Sequence, residues 1–216
     1  MARIPISQHM KNTVELIGHY GSDETHALSA WTSTSRDLDP AKQARVPALL
    51  KQLADAGHHT PFEKSTLHFL VRCETASHIH LLKHRIGVCV NGESARYKEL
   101  KDPTALIPDD WTPVLKKALQ DHFDLSALLY RDAVKHLVAH GVDRKRAKES
   151  ARFFLPYANQ LTLDVSFNWR SFHHFLGLRN KPEAQKEIRE IASEMLEQVR
   201  LLDGAPFRHT IAAFGH

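Results

Sequence analysis

A chain of 216 residues, 42% of them hydrophobic, can bury a real core as one domain spanning residues 1–216. Its formal net charge of +4 suits anionic ligands but is too mild to demand nucleic acid. Cys73 and Cys89 form no CxxC, which argues against a disulfide framework or a zinc ribbon, and no apolar run is long enough to span a membrane. The N-terminus lacks the apolar centre of a signal peptide, so a cytoplasmic location is expected.

The elements alternate irregularly along the chain. Thr13–Ile17 reads as a short strand ended by Gly18, and Asp23–Trp31 as a helix. Val46, Leu49, Leu50 and Leu53 fall at i, i+3, i+4 and i+7, a helical face closed by Gly57. Leu67, Phe69 and Val71 alternate with neighbours of the opposite face, as in a strand. Thr75 is placed to cap a helix carrying Ile79 and Leu82, which delivers Lys83, His84 and Arg85 at its end.

Thr112-Pro113 opens a long helix to about His140, with Gly141 as the stop. Asp143 can cap another, ended before Pro156. Leu163, Val165 and Phe167 alternate as a strand, and a short helix follows around Phe172–Leu178. Lys181-Pro182 is read as opening the last helix, with Ile188, Ile191, Met195 and Val199 inward and a stop near Gly204. Strands and helices do not repeat as βαβ units, so the expected class is α+β, with a mainly antiparallel sheet flanked by long helices.

Three constellations carry chemistry. In the first, Lys83-His84-Arg85 is followed nine residues after Arg85 by Ser94-Ala95-Arg96-Tyr97. A guanidinium fork, hydroxyl and backbone donors suit a nucleotide phosphate or a flavin pyrophosphate; the plain alternative is a solvated basic loop. In the second, Asn168-Trp169-Arg170-Ser171 leads into a helix where Phe172, Phe175, Leu176 and Arg179 share one stripe. A guanidinium on an apolar stripe needs an anionic or carbonyl partner, unless it snorkels to water at the helix end. In the third, His58-His59-Thr60-Pro61-Phe62-Glu63, Thr60 and Glu63 have capping-box spacing, which a purely structural turn explains.

Together these segments resemble the flavin-dependent thymidylate synthases. That family's usual landmarks are Arg-His-Arg, seven residues, then Ser-x-Arg-Tyr; an Asn-x-Arg-Ser followed by Phe-Leu-x-Leu-Arg; and a His-x-Ser/Thr-Pro-Phe-Glu stretch. Arg152, ahead of Leu155-Pro156, and the run Ala184–Arg189 match further family positions. A local alternative for Arg152 is an i, i+3 pair with Glu149. The resemblance implies a homotetramer holding FAD non-covalently at sites shared between subunits. It implies reductive methylation of dUMP to dTMP, with 5,10-methylenetetrahydrofolate as carbon donor and NADPH as reductant of the flavin.

By the same resemblance Arg179 is the catalytic residue, stabilising charge on the pyrimidine ring. His80, Lys83, Glu93, Ser94, Ala95, Arg96, Arg152 and Arg179 are carried over to the nucleotide. His58, Thr60, Glu63, Lys83, His84, Arg85, Asn168, Arg170 and His174 are carried over to the flavin. The lack of GxGxxG is consistent, because the family does not bind flavin on a Rossmann turn.

The chain also departs from the pattern. Lys83 replaces the usual first Arg, exchanging a fork for a point charge. The interval from Arg85 to Ser94 is one residue longer, Asn91-Gly92-Glu93 stands where Asn-Glu is common, and His80 replaces a frequent Gln. These differences bear on the nucleotide, so alkylation of another pyrimidine nucleotide is the main alternative. Two other classes are expected to fail. A metal protein would use His80 and His84 at i, i+4, yet no third ligand follows, so no metal site is expected. A nucleic-acid module would use Lys83, Arg85, Arg96, Lys98 and Lys101, a stripe that Glu93 and Glu99 interrupt.

Overall fold

Alternation of buried residues fixes the strands. In β2 (Thr66–Glu74) Leu67, Phe69, Val71 and Cys73 are wholly buried, and in β4 (Gln160–Phe167) Leu163, Val165 and Phe167 are. In this computed structural model, which describes residues 10–35, 37–94, 99–100 and 103–216, they pair with β1 (Thr13–Tyr20) and β3 (Val88–Gly92). The antiparallel sheet has the order β1-β2-β4-β3, and with its helices it makes an α+β fold. No described helix is long and apolar enough to cross a membrane.

The chain clusters into two compact units. One comprises the described residues of Val14–Val71, Leu82–Val90 and Asp164–His216. It contains α1 (Asp23–Trp31), α2 (Pro40–Asp55), α6 (Trp169–Arg179), α7 (Lys186–Arg200) and α8 (Arg208–Ala213). Its core is aromatic: Phe69 stacks on Phe172 at 5.7 Å and Trp169 on Phe207 at 5.9 Å, all four buried. Helix α7 buries Ile188, Ile191, Ala192, Met195, Leu196 and Val199 along one face. Gln198 of α7 covers the edge strand β1, accepting from Leu16 N at 2.6 Å and donating to Val14 O at 2.8 Å.

The other unit comprises the described residues of Met1–Thr13, Arg72–Leu81 and Asn91–Leu163. Here α4 (Pro113–Ala139) is capped by the Thr112 hydroxyl, and Gly141, at φ +82, follows its end. Tyr130 and Val134 of α4 pack with Leu100 and with Ala151 of α5 (Arg144–Ala151), and the Tyr130 hydroxyl accepts from Leu100 N. Asp143 caps α5 through Lys145 N and Arg146 N, as its position implies.

Several expectations need correction. β1 continues through Gly18 to Tyr20, and the chain turns at Gly21, where φ is +93. The helix α3 (Thr75–Leu82) is capped by Glu74, which accepts from Ser77 N at 3.0 Å, and not by Thr75. It buries Ser77 and Leu81 and leaves Ile79 and Leu82 exposed. In α2 only Val46 and Leu50 are buried, so its core face is narrower than the spacing suggests. Pro182 lies in a turn before α7 and does not open it, since the first helical residue is Lys186. Helix α8 was not expected; six residues are too few to show a period.

Candidate functional site

All three chemical segments supply residues to one place in the first unit. Asn168 caps α6, its carboxamide oxygen accepting from Ser171 N at 2.9 Å. The Ser171 hydroxyl then reaches across to Gly87 O at 2.7 Å, docking the loop after Lys83-His84-Arg85 on the start of α6. Gly87 has φ +68, and a Cβ there would lie 2.8 Å from Asn168 Nδ2 and 3.2 Å from Ser171 Cβ. Only glycine fits both demands. Gly87→Ala is therefore expected to cost on the order of 1–3 kcal/mol and to detach the loop. The checks are a urea melt and the variant's affinity for added FAD.

The third segment forms a 3-10 turn, Thr60–Glu63, with no side-chain cap, so the Thr60–Glu63 capping box is not formed. Glu63 pairs instead with Arg170, at 2.6 Å. Both side chains are partly exposed, so the pair fixes direction more than it stabilises.

Around these contacts lie two adjoining clefts. The larger, about 750 Å³, is lined by His59, Glu63, Asn168, Arg170, His173 and Gly177 among others. The smaller, about 340 Å³, is lined by Lys83, His84, Arg85, Val88 and Arg179 among others. Ile86, Ser171, His174 and Leu178 line both. Ile86 is 92% exposed, an apolar side chain standing free beside a basic groove.

The titratable groups here are unlike ordinary surface residues. Burial pushes His173 down to about 4, helped by the neighbouring His216, His59 and His174. Its Nδ1 lies 2.9 Å from Nε2 of His216, whose pKa burial and Arg200 also lower, so one proton serves the pair. Arg179 is half-buried and donates from Nε to His84 Nε2 at 3.1 Å, and His84 is 7% exposed. The anionic or carbonyl partner expected for Arg179 is thus replaced by an imidazole.

The residues carried over to the flavin fall mostly at this place. Glu63, Lys83, His84, Arg85, Asn168, Arg170 and His174 line the clefts, as does Arg179. His58 and Thr60 are exposed and line neither, whereas His59 does. Sequence reasoning missed His59, Ser171, His173, Ile86 and Leu178. Ser171 carried a usable signal, because it stands three residues after a cap and its hydroxyl faces the same way.

The other nucleotide residues lie in the second unit or outside the described residues. His80 is half-buried on α3, and Ser94 is half-buried after β3. Glu93 accepts from Thr162 N at 3.3 Å, so one of its oxygens holds strand β4. Arg152 is exposed in a 3-10 turn after α5, and the i, i+3 pair of that stretch joins Arg146 to Glu149 at 3.6 Å. Ala95 and Arg96 lie outside the described residues, as does Lys98. No cluster of three metal-ligating side chains occurs among the described residues.

With this geometry in view, relatives decide the family. Residues 15–203 match the model of the thymidylate synthase complementing protein family. The chain belongs to that family. It is 31% identical to the flavin-dependent thymidylate synthase of Mycobacterium avium (strain 104), over 76% of this chain and 69% of that one. It is 30% identical to that of Pseudothermotoga lettingae, over 83% and 80%. Among solved structures it resembles a UMP/dUMP methylase from Streptomyces cacaoi bound with 5-Br dUMP, with a TM-score of 0.75 and 26% identity over 95% of this chain and 96% of that one. The same methylase bound with 5-Br UMP gives 0.76 at 24%, covering 98% of each chain.

Proposed function

We propose that this protein methylates C5 of dUMP to give dTMP, as a flavin-dependent thymidylate synthase. The observation that carries the reading is the meeting of residues 59–63, 83–88 and 168–179 around one pair of clefts. These segments bear the family's landmarks except the Ser94–Tyr97 stretch.

The residues present fit a flavin. A pyrophosphate needs cations, and Lys83 and Arg85 are exposed with no ion pair among the described residues. A flat ring needs an apolar wall, which Ile86 and Leu178 supply beside Gly177. Close backbone approach is possible at Gly87 because no Cβ intervenes. Asn168, Arg170 and His174 would orient the cofactor, and Glu63 would hold Arg170 in place. The flavin supplies redox chemistry when bound, with NADPH as its reductant and 5,10-methylenetetrahydrofolate as carbon source.

The protein's own part is electrostatic. Uracil C5 becomes nucleophilic as negative charge builds on the ring, and Arg179 would meet that charge at the carbonyl edge in a site sheltered from water. Folate, nucleotide and flavin together exceed what one small chain presents, which supports a homotetramer with shared sites.

Purified protein should be yellow and release FAD on denaturation. Arg170→Ala and His174→Ala should each weaken FAD retention about tenfold, as expected for loss of one charge-assisted contact. A colourless protein that takes up no added FAD refutes the reading. Activity is tested as dTMP formation from dUMP, methylenetetrahydrofolate and NADPH under low oxygen.

A second reading has its own support. Lys83, the longer Asn91-Gly92-Glu93 loop and the likeness to a UMP/dUMP methylase all favour a looser choice of nucleotide. A parallel assay with UMP decides. Turnover of dUMP alone supports the first reading, and turnover of both supports the second.

A further inference from the structure

We propose that His84 is a positioning residue: its neutral imidazole holds the Arg179 guanidinium by Nε, leaving the charge and both Nη groups for the nucleotide ring. The inference rests on the role given to Arg179 above. Its geometry is independent of that role.

A guanidinium Nε–H only donates, so His84 Nε2, 3.1 Å away, must accept. The ring proton therefore sits on Nδ1. His84 is buried and its ring stands edge-on to Phe175 at 5.0 Å, so the acceptor has a fixed direction. Arg179 makes no other hydrogen bond or ion pair among the described residues, and it lines the smaller cleft.

The choice of acceptor matters. A carboxylate would grip the guanidinium more strongly but would cancel much of the charge it offers to a ring turning anionic. An imidazole orients the group and leaves that charge intact. Among the described residues no carboxylate lines the smaller cleft, which agrees.

The device has a pH signature. A proton on Nε2 removes the acceptor and sets two cations side by side. Among the described residues, the groups beside His84 include Lys83 and Arg85 on its own segment, and His174 on α6 with its ring 6.1 Å away. Acid should thus free Arg179.

The test uses the flavin-loaded protein with His84→Leu, His84→Gln and Arg179→Lys. Glutamine can accept from Nε through its carboxamide oxygen, whereas leucine cannot. His84→Leu should lose about tenfold in kcat/KM, mostly in kcat, and His84→Gln should recover to within about threefold. The acid limb of the wild-type kcat profile should be absent from His84→Gln. Nitrogen-15 NMR of the wild type should show His84 Nε2 unprotonated at neutral pH.

Equal behaviour of the Leu and Gln variants overturns the inference, as does a protonated Nε2. Loss of flavin from both would make His84 a cofactor contact and overturn it too. If Arg179→Lys is impaired while His84→Leu is not, the inference alone fails. If Arg179→Lys turns over like wild type, the reading of Arg179 fails first, and the inference with it. Should His84→Leu not fold, the Gln variant's pH profile and the NMR signal still decide.

Discussion

Arg179→Lys is expected to lower turnover of dUMP about a hundredfold while leaving the nucleotide bound. Lysine keeps the charge but loses the planar fork, and it has no Nε–H to donate to His84 at 3.1 Å. The ammonium is then neither aimed by the imidazole nor able to span a carbonyl edge. One charge-assisted contact that strengthens as the ring gains charge is worth about 3 kcal/mol, hence the hundredfold. The contrast is Ser94→Ala, where a hydroxyl hydrogen bond is worth about 1 kcal/mol net, so binding should weaken and activity persist. Steady-state dTMP formation with separate dUMP titrations distinguishes the two. Wild-type turnover by Arg179→Lys, with Ser94→Ala dead and nucleotide still bound, would invert these roles.

Much of the fold was legible because burial is periodic where two faces differ. The alternating run Leu67, Phe69, Val71 and the triple Leu163, Val165, Phe167 are completely or almost completely buried. Caps were legible where a short polar side chain precedes a helix, as at Thr112 and Asp143. What failed was set by distant partners. Ile79 and Leu82 look inward on any helical wheel, yet Glu74 and Ser77 fix which face of α3 is covered. The C-terminal helix is too short for a pattern, though Phe207 and Phe214, seven apart, both join the aromatic core.

The candidate site divides in the same way. Charges within one motif, such as Lys83 and Arg85, announce themselves. Pairings between motifs do not: nothing local says that Glu63 meets Arg170, 107 residues on, or that His84 meets Arg179, 95 residues on. An arginine on an apolar stripe can be seen to need a partner. Which partner it finds is tertiary information.

The same limit applies to His26, whose place in the core is expected to make this protein acid-sensitive. His26 is wholly buried, and its Nδ1 lies 3.0 Å from the Thr210 hydroxyl, which itself donates to Asp23 at 2.6 Å. The hydroxyl proton is thus committed, and His26 must donate from Nδ1. Its ring packs against Phe62 and Phe207, and its buried Nε2 has no hydrogen-bond partner among the described residues. Burial accordingly lowers its pKa from 6.5 to about 4. Between these values the unfolded chain takes up a proton that the folded chain refuses. The contribution of neutral His26 is fully present above pH 6.5 and is lost as pH drops toward 4. At about 1.4 kcal/mol per pH unit the loss reaches about 3 kcal/mol, a large share of a typical domain's total. Urea melts of wild type and His26→Leu between pH 7.5 and 4.5 test this. Leucine will shift stability at every pH, so the informative quantity is the slope. The wild-type curve should be steeper across this window, by about 3 kcal/mol in all, and parallel curves would assign the acid sensitivity to other groups.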